Sequence, residues 1–116
     1  MNFASDNTAP VAPNVMDALM AANQGTRPSY GVDSESEHAR ALFCELFETD
    51  CSVYFLASGT ATNSVGLAAA TPPHGAMLCS DVAHIHLDEC GAPEFFTGGA
   101  KLQTLTSSAG KLSPDV

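Results

Sequence analysis

The sequence is poor in bases: 4 lysines and arginines stand against 13 aspartates and glutamates, giving a formal charge of −9 over 116 residues. Such a chain repels a phosphodiester backbone, which excludes a nucleic-acid grip. A small anion is not excluded, because the N-terminus of a helix holds one with backbone N–H groups and no lysine. Only two lysines occur, Lys101 and Lys111, so any lysine chemistry within the chain must use one of them. No apolar run approaches the ~18 residues of a spanning helix. The opening Met1-Asn2-Phe3-Ala4-Ser5-Asp6 lacks the basic start and apolar core of an export signal. No membrane partner is expected, and a cytoplasmic location is. The four cysteines, Cys44, Cys51, Cys79 and Cys90, contain no Cys-x-x-Cys spacing, and their apolar settings predict buried, reduced thiols.

What is present is 45% hydrophobic and 15% charged, the composition of a globular domain. Val15, Leu19 and Ala22 recur at helical spacing, so a short helix is predicted over 14–22, with Gly25 ending it. The stretch 25–33 carries Pro28 and Gly31 and reads as a loop. It leads into Ser34-Glu35-Ser36-Glu37, the S-x-x-E pattern of a capping box. Ala39, Leu42, Phe43, Leu46 and Phe47 then mark one buried face of a second helix.

The β-branched and aromatic run 51–56 has the composition of a buried strand and breaks at Ser58-Gly59-Thr60. An Ala-rich helix is predicted over 61–70, stopped by Pro72-Pro73. Strands follow at 76–79 and 101–105, with a short helix over 88–92 that Gly91 terminates. Alternation of this kind predicts a parallel sheet covered on both faces, an α/β fold. Ser113-Pro114-Asp115 reads as the start of a further helix. The sheet is therefore expected to be incomplete and the chain to be the front part of something larger.

Two places carry chemistry. Strand, then Ser58-Gly59-Thr60, then helix fits a phosphate: glycine lets the backbone approach a ligand, the hydroxyls donate, and the helix supplies oriented N–H groups. Taken alone the triplet is commonplace. The second place is 81–92, beyond the end of the strand at 76–79 and holding His84, His86, Asp88 and Glu89. Ligands of open parallel sheets bind beyond the carboxyl ends of strands, so the two places should converge on one crevice. An extended His84-x-His86 would also point two rings to one face, with Asp88 two residues on, and suit a metal-dependent hydrolase. A fourth ligand is missing from that arrangement, and no metal site is assigned.

The motifs Phe3-Ala4-Ser5-Asp6-Asn7, Tyr30-Gly31, Leu56-Ala57-Ser58-Gly59-Thr60-Ala61-Thr62-Asn63 and Ala83-His84-Ile85 with Asp88-Glu89-Cys90-Gly91-Ala92-Pro93 together resemble the start of a threonine aldolase of the low-specificity or phenylserine type. These are pyridoxal 5'-phosphate enzymes grouped with the β-eliminating lyases. The resemblance implies an aspartate-aminotransferase-like fold (fold type I), with residues 1–33 as N-terminal segment and active-site loop and 34–116 as the first part of the large cofactor-binding domain. It implies aldol cleavage of L-threonine, L-allo-threonine or a related β-hydroxy-α-amino acid to glycine and an aldehyde. Ser58, Gly59 and Thr60 would hold the cofactor phosphate. His84 would stack on the pyridine ring and handle the β-hydroxyl proton, and Glu89 would be a second catalytic carboxylate. Ser5 would help bind the substrate carboxylate, and Tyr30 would reach a neighbouring subunit's site, which implies a homo-oligomer, a dimer of dimers. The sequence departs from the family at Asn7 and at Arg27-Pro28-Ser29. The family's cofactor-bearing lysine, pyridine-nitrogen aspartate and carboxylate-clamping arginine match no position here, and Lys101 and Lys111 are not promoted to such roles. A non-catalytic fragment or assembly partner is the alternative that this absence keeps open.

Overall fold

The computed structural model describes residues 6–114, in which the chain forms two compact units, one ending at Val53 and the other beginning at Tyr54. Ser5, Asp115 and Val116 lie outside the described residues, and with them the substrate contact expected of Ser5 and most of the helix start expected after Ser113. Among the described residues no helix is long and apolar enough to cross a membrane.

In the first unit a 3-10 turn, Asp6–Thr8, precedes α1, Pro13–Ala22, which opens with proline in its first turn. A missing N–H is harmless there, because the first amides of a helix have no intrahelical acceptor. Helix α2, Ser34–Phe47, is capped by Asp33 and not by the expected Ser34–Glu37 box. The Asp33 carboxylate accepts from Ser36 N and Ser36 Oγ, both at 2.8 Å, while Ser34 Oγ turns to Glu35. A carboxylate outcompetes a hydroxyl at this position because it carries full charge against the positive end of the helix. The Ser36 N–H bond, with the Ser36 hydroxyl behind it, holds the Asp33 carboxyl below its ordinary pKa. Helix α2 ends on Glu48 in the left-handed region (φ 53°), with Thr49 N donating to Cys44 O. That reversal returns Cys51 to Cys44, their sulfurs 3.4 Å apart as free thiols.

The predicted apolar face of α2 exists but is not buried. Phe43 and Phe47 stack with centroids 6.4 Å apart, yet Leu46 is 72% exposed, and Ala39, Leu42, Phe43 and Leu46 line a shallow open groove. The run 51–56 is likewise not a strand, and Tyr54 and Phe55 are exposed. A β-composition needs a neighbour to hydrogen-bond, and the parallel sheet of the described residues contains only the two strands of the second unit.

The second unit opens with α3, Gly59–Ala70, two residues earlier than the alanine pattern suggests because Ser58 takes the cap. Strands β1, Ala76–Ser80, and β2, Lys101–Leu105, pair in parallel with Ala76 opposite Lys101 and Ser80 opposite Leu105. The crossover carries α4, His84–Leu87, and α5, Ala92–Phe96, and α5 packs on α3 and β2. The expected helix over 88–92 is absent. Cys90 (φ 52°) and Gly91 (φ 77°) are both left-handed, so Gly91 precedes α5 as its cap instead of ending a helix. Met77 and Cys79 are the buried positions of β1, and Pro93, Thr97 and Ala100 are buried as well, whereas Leu78 is 63% exposed. The sheet is thus covered on one face, not both. The expectation of buried thiols holds for Cys79 and fails for Cys90, which is exposed.

Candidate active site

Ser58 sits in extended backbone (φ −149°, ψ 159°) at the start of α3, and its Oγ accepts from Ala61 N at 3.2 Å. Its carbonyl takes both Thr62 N (3.1 Å) and Thr62 Oγ1 (3.0 Å). The amides left over at this end of the helix are those of Gly59 and Thr60, the first two of α3. A Cβ built on Gly59 meets nothing within 4 Å, so the fold itself places no steric demand for glycine there.

Beside this helix end lies a cavity of about 320 Å³ lined by Ser58, Thr60, Ala61, Ser64, Val65 and Phe96. None of the six is charged. Ser64 is 2% exposed, and its Oγ has no hydrogen-bond partner. A buried hydroxyl without a partner carries a desolvation cost that a ligand oxygen would relieve. The polar donors of Ser58, Gly59 and Thr60 with a largely apolar wall behind them suit a molecule with an anionic group at one end and a ring at the other, which is the shape of pyridoxal phosphate.

The second constellation is tied to the first through α3. His84 opens α4 with its side chain 66% exposed, and its Nδ1 lies 2.9 Å from Glu89 Oε1. The Glu89 side chain is 0% exposed, and the same Oε1 accepts from Asn63 Nδ2 at 2.7 Å. One oxygen of a buried carboxylate therefore serves an amide from α3 and an imidazole from α4. An exposed imidazole whose other nitrogen is held by a carboxylate is suited to move a proton at its free atom, Nε2.

His86 does not join His84. The segment is helical, not extended, and two residues apart on a helix are about 200° apart around the axis, which removes the basis of the metal-hydrolase reading. Among the described residues no group of three or more His, Cys, Asp or Glu side chains is arranged to hold a metal ion. Tyr30 belongs to the first unit, where it is left-handed (φ 65°) and 99% exposed, while the following Gly31 carbonyl accepts from Arg40 Nη1 at 2.7 Å. Lys101 is exposed at the start of β2, and Lys111 lies in a turn bridged to Ser108. Asn63 and Ser64 went unassigned in the sequence. Asn63 stands one helical turn beyond Thr60, but its pairing with a residue 26 positions away leaves no local signal.

The fold and this site define an α/β domain of the aspartate-aminotransferase-like class, with an anion-ready helix end and a carboxylate–imidazole pair linked by one helix. Residues 2–116 match the family of beta-eliminating lyases, and the chain belongs to that family. It is 46% identical over 112 residues to the low specificity L-threonine aldolases of Pseudomonas aeruginosa and of Pseudomonas sp. strain NCIMB 10558, covering 97% of this chain. The chain spans 32% of the length of those relatives. A solved structure of threonine aldolase from Leishmania major superposes with a TM-score of 0.82 at 31% identity, over 93% of this chain and 31% of that one.

Proposed function

We propose that this chain supplies the phosphate-holding and acid–base side of a pyridoxal 5'-phosphate-dependent aldehyde-lyase. The reaction would be cleavage of L-threonine, L-allo-threonine or a related β-hydroxy-α-amino acid to glycine and an aldehyde. The observation that carries the reading is the Ser58-capped end of α3 with the unpartnered, buried Ser64 Oγ in the cavity beside it. When bound, the cofactor supplies an electron sink for the pair released from the broken Cα–Cβ bond. The chain's own residues do the rest of the work proposed here. Ser58 and Thr60 hydroxyls and the Gly59 and Thr60 amides bind the phosphate. His84 covers the cofactor ring and takes the β-hydroxyl proton at Nε2, its Nδ1 being engaged by Glu89. Ser5 binds the substrate carboxylate, and the exposed Tyr30 serves the site of a neighbouring copy in a dimer of dimers in the cytoplasm.

The test is a titration of the protein with pyridoxal phosphate followed by amide NMR. Saturable shifts at Gly59 and Thr60, competed by inorganic phosphate, are expected. Shifts that leave these two amides untouched would refute the phosphate site. Because neither Lys101 nor Lys111 stands in the site, the 116 residues on their own are expected to release no aldehyde from L-threonine.

A further inference from the structure

We infer that Asn63 is a positioning residue for the acid–base pair, holding the Glu89 carboxylate so that His84 keeps its hydrogen on Nδ1 and presents a bare Nε2. The inference rests on the role proposed above for His84, and it adds a residue that the motif reading left without one.

A side-chain amide nitrogen can only donate, so Glu89 Oε1 is an acceptor in its 2.7 Å bond with Asn63 Nδ2. The His84 Nδ1, 2.9 Å from that same oxygen, then meets a carboxylate oxygen already acting as acceptor. Donation by Nδ1–H satisfies both atoms, and it fixes the tautomer of the ring. Unconstrained histidine favours the opposite tautomer, with the hydrogen on Nε2, which would block proton uptake at the exposed end.

The Glu89 carboxylate needs a second holder. Its other oxygen, Oε2, is buried and has no partner, and His84 itself is 66% exposed, a poor anchor for a buried group. Asn63 is half-buried on α3, a twelve-residue helix packed against α5. Glu89 sits on the turn made by the left-handed Cys90 and Gly91. The amide therefore ties a turn to a packed helix. Orientation passes from α3 through Asn63 to Glu89 and from Glu89 to the ring.

The experiment is long-range 15N–1H NMR of the imidazole rings in the protein without cofactor. Wild-type His84 is expected to be mainly the Nδ1–H tautomer, and Asn63→Leu should shift it to mainly Nε2–H. Asn63→Ala also removes the donor, and should give the same reversal should the leucine variant fail to fold. Glu89→Leu should reverse the tautomer as well, since it removes the acceptor outright. A folded Asn63→Leu or Asn63→Ala protein with unchanged His84 tautomers would show that Asn63 merely staples the turn, and would overturn the proposal. The readout needs no cofactor, so it can fail while the Gly59 and Thr60 titration succeeds, or the reverse.

Discussion

Ser107 Oγ donates a 2.6 Å hydrogen bond to Asp81 Oδ1, and Ser107 N adds a second at 3.1 Å, so the residues just beyond the carboxyl ends of β1 and β2 are tied together. Asp81 N also donates to Leu105 O, which extends the parallel ladder by one rung. This clasp sits at the end of the sheet from which the chain enters α4 and its His84.

The Ser107 hydroxyl, more than any other neighbour, holds the Asp81 carboxyl below its ordinary pKa, against the opposing effect of burial. A depressed carboxylate contributes stability that is fully present above its unfolded value of about 3.9 and is lost as pH falls through the lower folded value. Ser107→Ala should therefore lose part of its acid resistance. In acid titrations followed by circular dichroism, its unfolding midpoint is expected at higher pH than wild type. Coincident acid transitions would show that the clasp does not couple to folding.

Ser58 and Gly59 should separate stability from binding. Ser58→Ala removes the cap of α3 and is expected to cost about 1 kcal/mol in chemical denaturation. Gly59→Ala meets nothing within 4 Å and should leave stability unchanged or raise it by up to about 1 kcal/mol. Its methyl group would nonetheless stand between the backbone and a phosphate. Pyridoxal phosphate binding is expected to weaken about tenfold or more, the scale of one lost bond to a charged group. Undiminished binding by Gly59→Ala would place the phosphate elsewhere.

The pair Tyr30 and Gly31 should respond in opposite directions. Tyr30 is left-handed and makes its side chain wholly available to solvent, so Tyr30→Gly should stabilise the chain by about 1 kcal/mol by removing Cβ strain. Gly31→Ala is left-handed too, and its Cβ would stand 3.0 Å from Arg40 Nη2. It should destabilise by about 1 kcal/mol and loosen the Arg40–Gly31 bond. Thermal denaturation of the two variants beside wild type checks both signs.

The thiols should react in an order set by exposure and charge. Cys90 is exposed and should be alkylated first. Burial, and then the Glu94 charge, push the Cys79 thiol up from its ordinary pKa, so it should react last. Cys51 is also raised, chiefly by its bond with Cys44, and should fall between them. Timed iodoacetamide labelling read by peptide mass gives the order, and labelling of Cys79 ahead of Cys90 would contradict the packing of β1.

Much of this was legible in order along the chain. The helix over Pro13–Ala22 and the strand Lys101–Leu105 follow from spacing and punctuation, and Ser58-Gly59-Thr60 stands at a helix start as a serine cap predicts. Two of the misreadings share a cause. The 51–56 run has strand composition but finds no pairing neighbour among the described residues, and α2 has a core-like face that nothing in its own unit covers. The capping box lost to Asp33 because two adjacent candidates competed and charge decided.

By itself the sequence determined the local elements, the scarcity of bases that directs any anion to a helix end, and the motif order shared with the lyase family. Only the tertiary structure decided that the histidines of His84-x-His86 diverge, because the segment coils into α4. The same holds for Asn63 from α3 meeting the buried Glu89 carboxylate across 26 positions. Periodicity encodes which side of an element is apolar. Which side chains meet across a packed interface depends on turns such as Cys90-Gly91, whose left-handed geometry a residue pattern does not specify.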